Sequence, residues 1–253
     1  MKDNWPQNLL LVALFGFVTL FTAYQESFLP IIGAFFWLVL IMGFAIAIWM
    51  ALNITTGRLL ALMLGIFIVE YIKEGIGINS GMWSYHGLAN AYNLGVWAWV
   101  MAGMTVFWLA VRLVIRGMRK LTAGLPRRWD LINPVIVLLV FVVIPLMLGD
   151  YRRGAGGWFW LLYTILFLIT LVTAIRMELP VFLGLLLTIW VVGFLSEYAG
   201  SVPNHIWTFT YNPNFPPVFL IIGCWPLEIF TQYALSAFLA NEPLDKYTMR
   251  EEN

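Results

Sequence analysis

Eight predominantly apolar stretches, most of them long enough to cross a hydrocarbon core as a helix, run through the chain from end to end. They lie near 8–24, 31–53, 58–72, 93–116, 131–149, 157–176, 179–196 and 216–240. A spanning helix needs roughly 20 mostly apolar residues, which most of these supply. Pro30, Pro134, Pro180, Pro216 and Pro217 sit near their starts, where a missing backbone N–H costs least. The third and seventh are short, and each ends in Glu-Tyr: Glu70-Tyr71 and Glu197-Tyr198. The chain is 62% hydrophobic and 11% charged, against about 25% charged residues in soluble domains. One soluble core cannot hide that much apolar surface, whereas a bilayer has no need to. The predicted fold is therefore an all-α, polytopic transmembrane bundle of about eight spans. A soluble enzyme and a secreted domain are excluded, and a net charge of +1 gives no footprint for nucleic acid. The single cysteine, Cys224, rules out an intrachain disulfide. The first apolar run is too long for a cleavable leader and is expected to stay as a membrane helix.

Lys and Arg set the expected orientation. With the N-terminus inside, the cytoplasmic segments hold Lys2, Arg58, Arg112, Arg116, Arg119, Lys120, Arg127, Arg128, Arg176, Lys246 and Arg250. Only Lys73, Arg152 and Arg153 fall on the other side. Both termini are thus predicted in the cytoplasm. The cluster from Arg112 to Arg128 is expected to fix topology and to touch anionic lipid heads.

Sliding the sequence on itself by 127 residues (Glu70 onto Glu197) superimposes the spans in order, with GIFIVEY at 65–71 on VGFLSEY at 192–198. Two four-span repeats follow, 1–122 and 123–253, within one integrated domain. Four spans per half insert both halves the same way up, so the repeats are parallel. Each acid leads into a loop rich in aromatics, 72–92 and 199–217, carrying Trp83, Tyr85 and His86 in the first and His205, Trp207, Phe209, Tyr211 and Asn212 in the second. These side chains can form an interfacial anchoring belt or line a cavity.

An ionisable group inside a span is expensive and points to function by default. Glu70 and Glu197 end spans three and seven, and Glu228 lies roughly 18 Å along the last span at 1.5 Å per residue. Its helical neighbours are Cys224, Trp225, Thr231 and Gln232. Each acid also has a structural reading: Glu70 in an ion pair with Lys73, Glu228 in a polar lock between helices. A carboxyl that keeps its proton in an apolar site can deliver it to a weak base. With two histidines and no ligand spacing, no metal site is expected.

The segment from Phe194 to Tyr233 resembles the integral-membrane lycopene cyclase domain and the related carotenoid hydratases. The resemblance rests on Glu197, on Trp207, Phe209 and Asn212 of the loop, and on Pro226-Leu227-Glu228-Ile229-Phe230 of the last span. The family is also built from two related halves. This chain has Glu197-Tyr198 where the family has Asp before a Phe-Thr pair, Ile229 at the second Glu of the span motif, and Met104 opposite Glu228 in the first half. The resemblance implies an enzyme of isoprenoid metabolism that protonates a polyene double bond, followed by cyclisation or hydration. It implies Glu228, Glu197 and Glu70 as acid–base groups. Trp83, Tyr85, Trp207, Phe209, Tyr211, Trp225 and Asn212 would surround the substrate. No cofactor is needed. The expected partners are the bilayer of a bacterial or archaeal cytoplasmic membrane and a lipid-soluble carotenoid, with homo-oligomer and complex both open. Two other classes fit the same composition: a pigment-, quinone- or partner-binding subunit without catalysis, and a transporter.

Overall fold

The computed structural model describes residues 4–25, 28–85, 94–147, 156–201, 206–210 and 217–242. The described chain is all-α, joined by one short ribbon. The helices are α1 (Trp5–Gln25), α2 (Phe28–Asn53), α3 (Thr56–Asn79), α4 (Leu94–Leu121), α5 (Ile132–Met147), α6 (Gly156–Arg176), α7 (Leu179–Thr188), α8 (Phe194–Ser201) and α9 (Pro217–Leu239). A 3₁₀ turn over Arg127–Leu131 leads into α5, and a π-helical turn over Ile189–Gly193 fuses α7 to α8. Strands β1 (Trp83–Tyr85) and β2 (Trp207–Phe209) pair antiparallel. Among the described residues, the helix Leu179–Tyr198, of mean hydropathy 2.3, is long and apolar enough to cross a membrane, and Ile41–Asn53 and Trp160–Arg176 are shorter apolar helices.

Helix α3 runs a further two turns beyond the expected end near residue 72, through Gly75 and Gly77 to Asn79. Much of the first expected loop is therefore helix, and Lys73 and Glu74 become helical side chains rather than loop charges.

The helices exchange partners between the two halves of the chain. Helix α3 packs on α9 and α7 packs on α4, while α2 packs on α4 and α6 on α9. At one end of the molecule the same bonds occur twice. Asn8 Nδ2 donates to the carbonyls of Ala51 (2.9 Å) and Ile54 (2.8 Å), satisfying orphan acceptors at the C-terminus of α2. Asn133 Nδ2 does the same at the end of α6, to Ala174 (3.4 Å) and Met177 (2.8 Å). Asn4 Nδ2 donates to Thr56 Oγ1 at the start of α3, and Asp130 Oδ1 accepts from the Leu179 N–H at the start of α7. Arg58 pairs with Glu242, and Arg119 with Glu178. The counterparts in the two Asn latches lie 123 to 125 residues apart (Ala51 and Ala174, Asn8 and Asn133), not 127. Asn133→Ala removes both bonds of its latch at once. It should cost about 1–3 kcal/mol, read as a lower Tm of the purified protein in detergent, and Asn8→Ala should match it.

The interior is a largely apolar core that also holds polar side chains, and many large apolar side chains face outward. Glu70, Glu74, Glu228, Gln232, Ser236, Asn8 and Asn133 are buried. Phe17, Ile41, Leu139, Ile175 and Leu195 are each 60% or more exposed.

Candidate functional site

Opposite the Asn latches, the ribbon ties the halves together: Trp83 faces Phe209, Ser84 faces Thr208 and Tyr85 faces Trp207. The Thr210 N–H extends it to the Met82 carbonyl at 2.9 Å. Alternating aromatic and hydroxyl side chains suit a two-stranded pairing, because aromatic neighbours meet on one face and the Ser84 and Thr208 hydroxyls on the other (3.4 Å apart). Tyr85 and Trp207 are in ring contact at 5.9 Å.

Each strand delivers an indole to a carboxylate. Trp83 Nε1 donates to Glu74 Oε2 at 2.7 Å, and Trp207 Nε1 donates to Glu197 Oε2 at 3.1 Å. The indoles lie against glycines three residues after those acids, Gly77 and Gly200, where any Cβ would collide with the ring. Glu74-Gly77-Trp83 and Glu197-Gly200-Trp207 are thus matching clamps. The counterpart of Glu197 in this geometry is Glu74, not Glu70 as the Glu-Tyr alignment expects. Helix α3 places Glu74 one turn past Glu70, next to the ribbon. The Gly200→Ala methyl must displace Trp207, at about 1–3 kcal/mol for overpacking. Thermal unfolding and a shifted tryptophan emission spectrum would register that change.

The remaining polar groups converge on Lys73, which the orientation rule counts only as an extracytoplasmic charge. Lys73 Nζ lies 2.6 Å from Glu70 Oε2, 3.1 Å from Glu74 Oε1 and 3.4 Å from Glu228 Oε2, with its side chain 12% exposed. The Tyr163 hydroxyl of α6 donates to Glu228 Oε1. Gln232 Nε2 donates to Glu70 Oε1, and Trp108 Nε1 donates to Gln232 Oε1 at 3.4 Å. Glu197 accepts a second indole bond, from Trp225 Nε1 at 2.9 Å. The Tyr85 hydroxyl donates to Glu74 Oε1 at 3.2 Å. Burial pushes the Tyr85 phenol well above its usual range, and the Glu74 carboxylate beside it adds to that, so Tyr85 stands as a neutral donor.

These groups form one wall of a cavity of about 600 Å³. Glu70, Glu74, Glu197, Glu228 and Lys73 supply its charge. Trp83, Tyr85, Trp207, Phe209, Trp225, Phe107 and Tyr163 supply its aromatic faces. The rest is apolar, including Val39, Met104 and Val192. The cavity also reaches Leu38, Met42, Leu195 and Tyr198, all of them exposed on the molecule's flank. The π-helical turn adds a residue per turn just before this wall, and such turns often mark functional sites. Leu195, Ser196 and Glu197 follow it into the lining.

The three expected acids and the expected Trp83, Tyr85, Trp207, Phe209 and Trp225 therefore share one cavity. Tyr211 and Asn212 lie outside the described residues, as do His86 and His205. Among the described residues, no group of three or more His, Cys, Asp or Glu side chains is arranged to hold a metal. Tyr163 is a site residue that the sequence does not single out, and Lys73 and Glu74 enter the sequence reading only as charges within one turn of Glu70, whose expected ion pair with Lys73 stands at 2.6 Å. The one usable signal was Lys73-Glu74 itself, a charged pair one turn after Glu70 with no loop residue between them. No protein-family model, curated protein or solved structure matches the chain.

Proposed function

We propose that the chain is a polytopic membrane enzyme, built from two parallel four-helix repeats, that protonates a double bond of a lipid-soluble isoprenoid, most directly a carotenoid polyene. One observation carries the reading: a cluster of four carboxylates and one ammonium heads an apolar, aromatic cavity whose flank meets the exposed apolar surface. The many large apolar side chains on the outer surface support a lipid surround. The doubled Asn latches and Trp–Glu clamps support the repeat. A hydrocarbon dissolved in the bilayer reaches the acids through such a flank without crossing water.

In this reading Glu228 is the proton donor. It faces the cavity, is held by the Tyr163 hydroxyl and stands 3.4 Å from Lys73. A single ammonium faces Glu70, Glu74 and Glu228 together. Transfer of the Glu228 proton to a terminal alkene carbon leaves a carbocation. The faces of Trp225, Trp207 and Tyr85 stabilise it at roughly 0.5–2 kcal/mol each. Attack by the next double bond closes a ring. Glu197, fixed by two indole N–H groups, then takes a proton from a neighbouring carbon and restores a neutral product. Capture of the cation by water instead gives the hydrated product. Glu70 orients the donor side through Lys73 and Gln232.

Solvent isotope labelling tests the proton step. Turnover in D₂O should give a cyclised product carrying one solvent-derived deuterium per ring formed, because the proton added and the proton lost sit on different carbons. A converted product free of deuterium rules out protonation as the initiating event.

A further inference from the structure

We propose that Lys73 is also a covalent attachment point for a lipid-soluble aldehyde, held in the cavity as a protonated imine. The inference goes beyond the proton-transfer reading. It uses the same cavity and flank, but not proton donation by Glu228.

A primary amine on the wall of an apolar, aromatic cavity is the nucleophile that imine chemistry requires. Lys73 Nζ is such an amine, and it sits among three carboxylates at 2.6, 3.1 and 3.4 Å. The reaction balances with the aldehyde alone. A neighbouring carboxylate, Glu70 or Glu74, takes a proton from the ammonium. The freed nitrogen attacks the carbonyl carbon and forms a carbinolamine. Return of that proton to the carbinolamine hydroxyl releases water, and the C=N bond forms. The ammonium and the iminium each carry one positive charge, so the exchange leaves the ion pairs with Glu70, Glu74 and Glu228 in place. The three carboxylates then act as counterions to the iminium. Trp207, Trp225 and Phe107 offer aromatic faces to a conjugated chain, and the exposed apolar flank admits a long one. An anionic lipid is disfavoured by the same carboxylates, whereas an uncharged aldehyde meets no repulsion.

The chain contains only three other lysines, Lys2, Lys120 and Lys246, so the site of attachment can be read directly. The test uses the full-length protein in detergent micelles with all-trans-retinal as the probe, followed by borohydride reduction and peptide mass mapping. The expected result is an absorption band shifted to the red of free retinal. Reduction should fix a mass gain of one retinyl group on Lys73. Both signals should be lost in Lys73→Arg. In case that variant fails to fold, a second one carries Lys2→Arg, Lys120→Arg and Lys246→Arg and keeps Lys73 alone. Full labelling of this second variant supports the proposal. Absence of the adduct from it, or label in the wild type spread over Lys2, Lys120 and Lys246, overturns the proposal. Neither outcome bears on conversion of a polyene hydrocarbon, which is measured separately.

Discussion

Glu228→Gln is expected to lower polyene conversion by about 10²–10⁴-fold, the range for loss of a general acid. The amide oxygen still accepts the Tyr163 hydroxyl bond, and the side chain keeps its volume at a position that is 3% exposed. Fold and cavity should therefore survive while the transferable proton is gone. Product formation in isolated membranes, alongside the Tm of the purified variant, separates the two effects. Glu197→Gln should lose turnover and also some stability, since its two indole bonds fall on both carboxylate oxygens and the amide offers only one acceptor. Full activity in Glu228→Gln would remove Glu228 from the donor role.

Lys73→Met should be the most destabilising single change in the site, at about 3–5 kcal/mol, because deleting one partner leaves buried charges uncompensated. Three carboxylates lose their shared cation at once, and one of them, Glu228, ties α9 to this lysine of α3. Lys73→Arg keeps the charge and should lose less, although its planar fork cannot reproduce a point cation among three acceptors. Adding Glu70→Gln and Glu74→Gln to Lys73→Met should restore much of the lost stability, since side chains in one network are strongly coupled. Denaturant unfolding in mixed micelles measures each step. Unchanged stability in Lys73→Met would mean that the three ion pairs contribute nothing to the fold.

Helix positions were the most legible part of the sequence, because an apolar run of spanning length is a signal averaged over some 20 residues. The α2, α6 and α9 helices begin or end within a few residues of the apolar runs that predict them. The end of α3 was not legible. Gly75 and Gly77 read as loop, yet Gly77 is glycine because Trp83 packs against it. That error hid the clamp register, since the Glu-Tyr dipeptides at 70 and 197 align well in sequence while Glu74 and Glu197 share the indole geometry. The convergence of Glu70, Glu197 and Glu228 was anticipated from the expense of acids in apolar segments. Lys73 was legible only as the ion-pair partner of Glu70; its contacts with Glu74 and Glu228 come from α3 continuing as a helix and packing on α9. Tyr163 carries no local signal at all: a tyrosine within an apolar helix is ordinary, and its role comes from α6 packing on α9. The ribbon was equally hidden, because strands of three residues are too short for a periodic pattern to register.

The direct measurement is expression of the chain in a bacterial host that accumulates lycopene, followed by mass-resolved chromatography of the pigments, with Glu228→Gln as the control. The account predicts a new pigment, either of unchanged mass and shifted retention or heavier by one water, that disappears in the control. Unaltered lycopene in cells whose membranes contain the folded protein would contradict it.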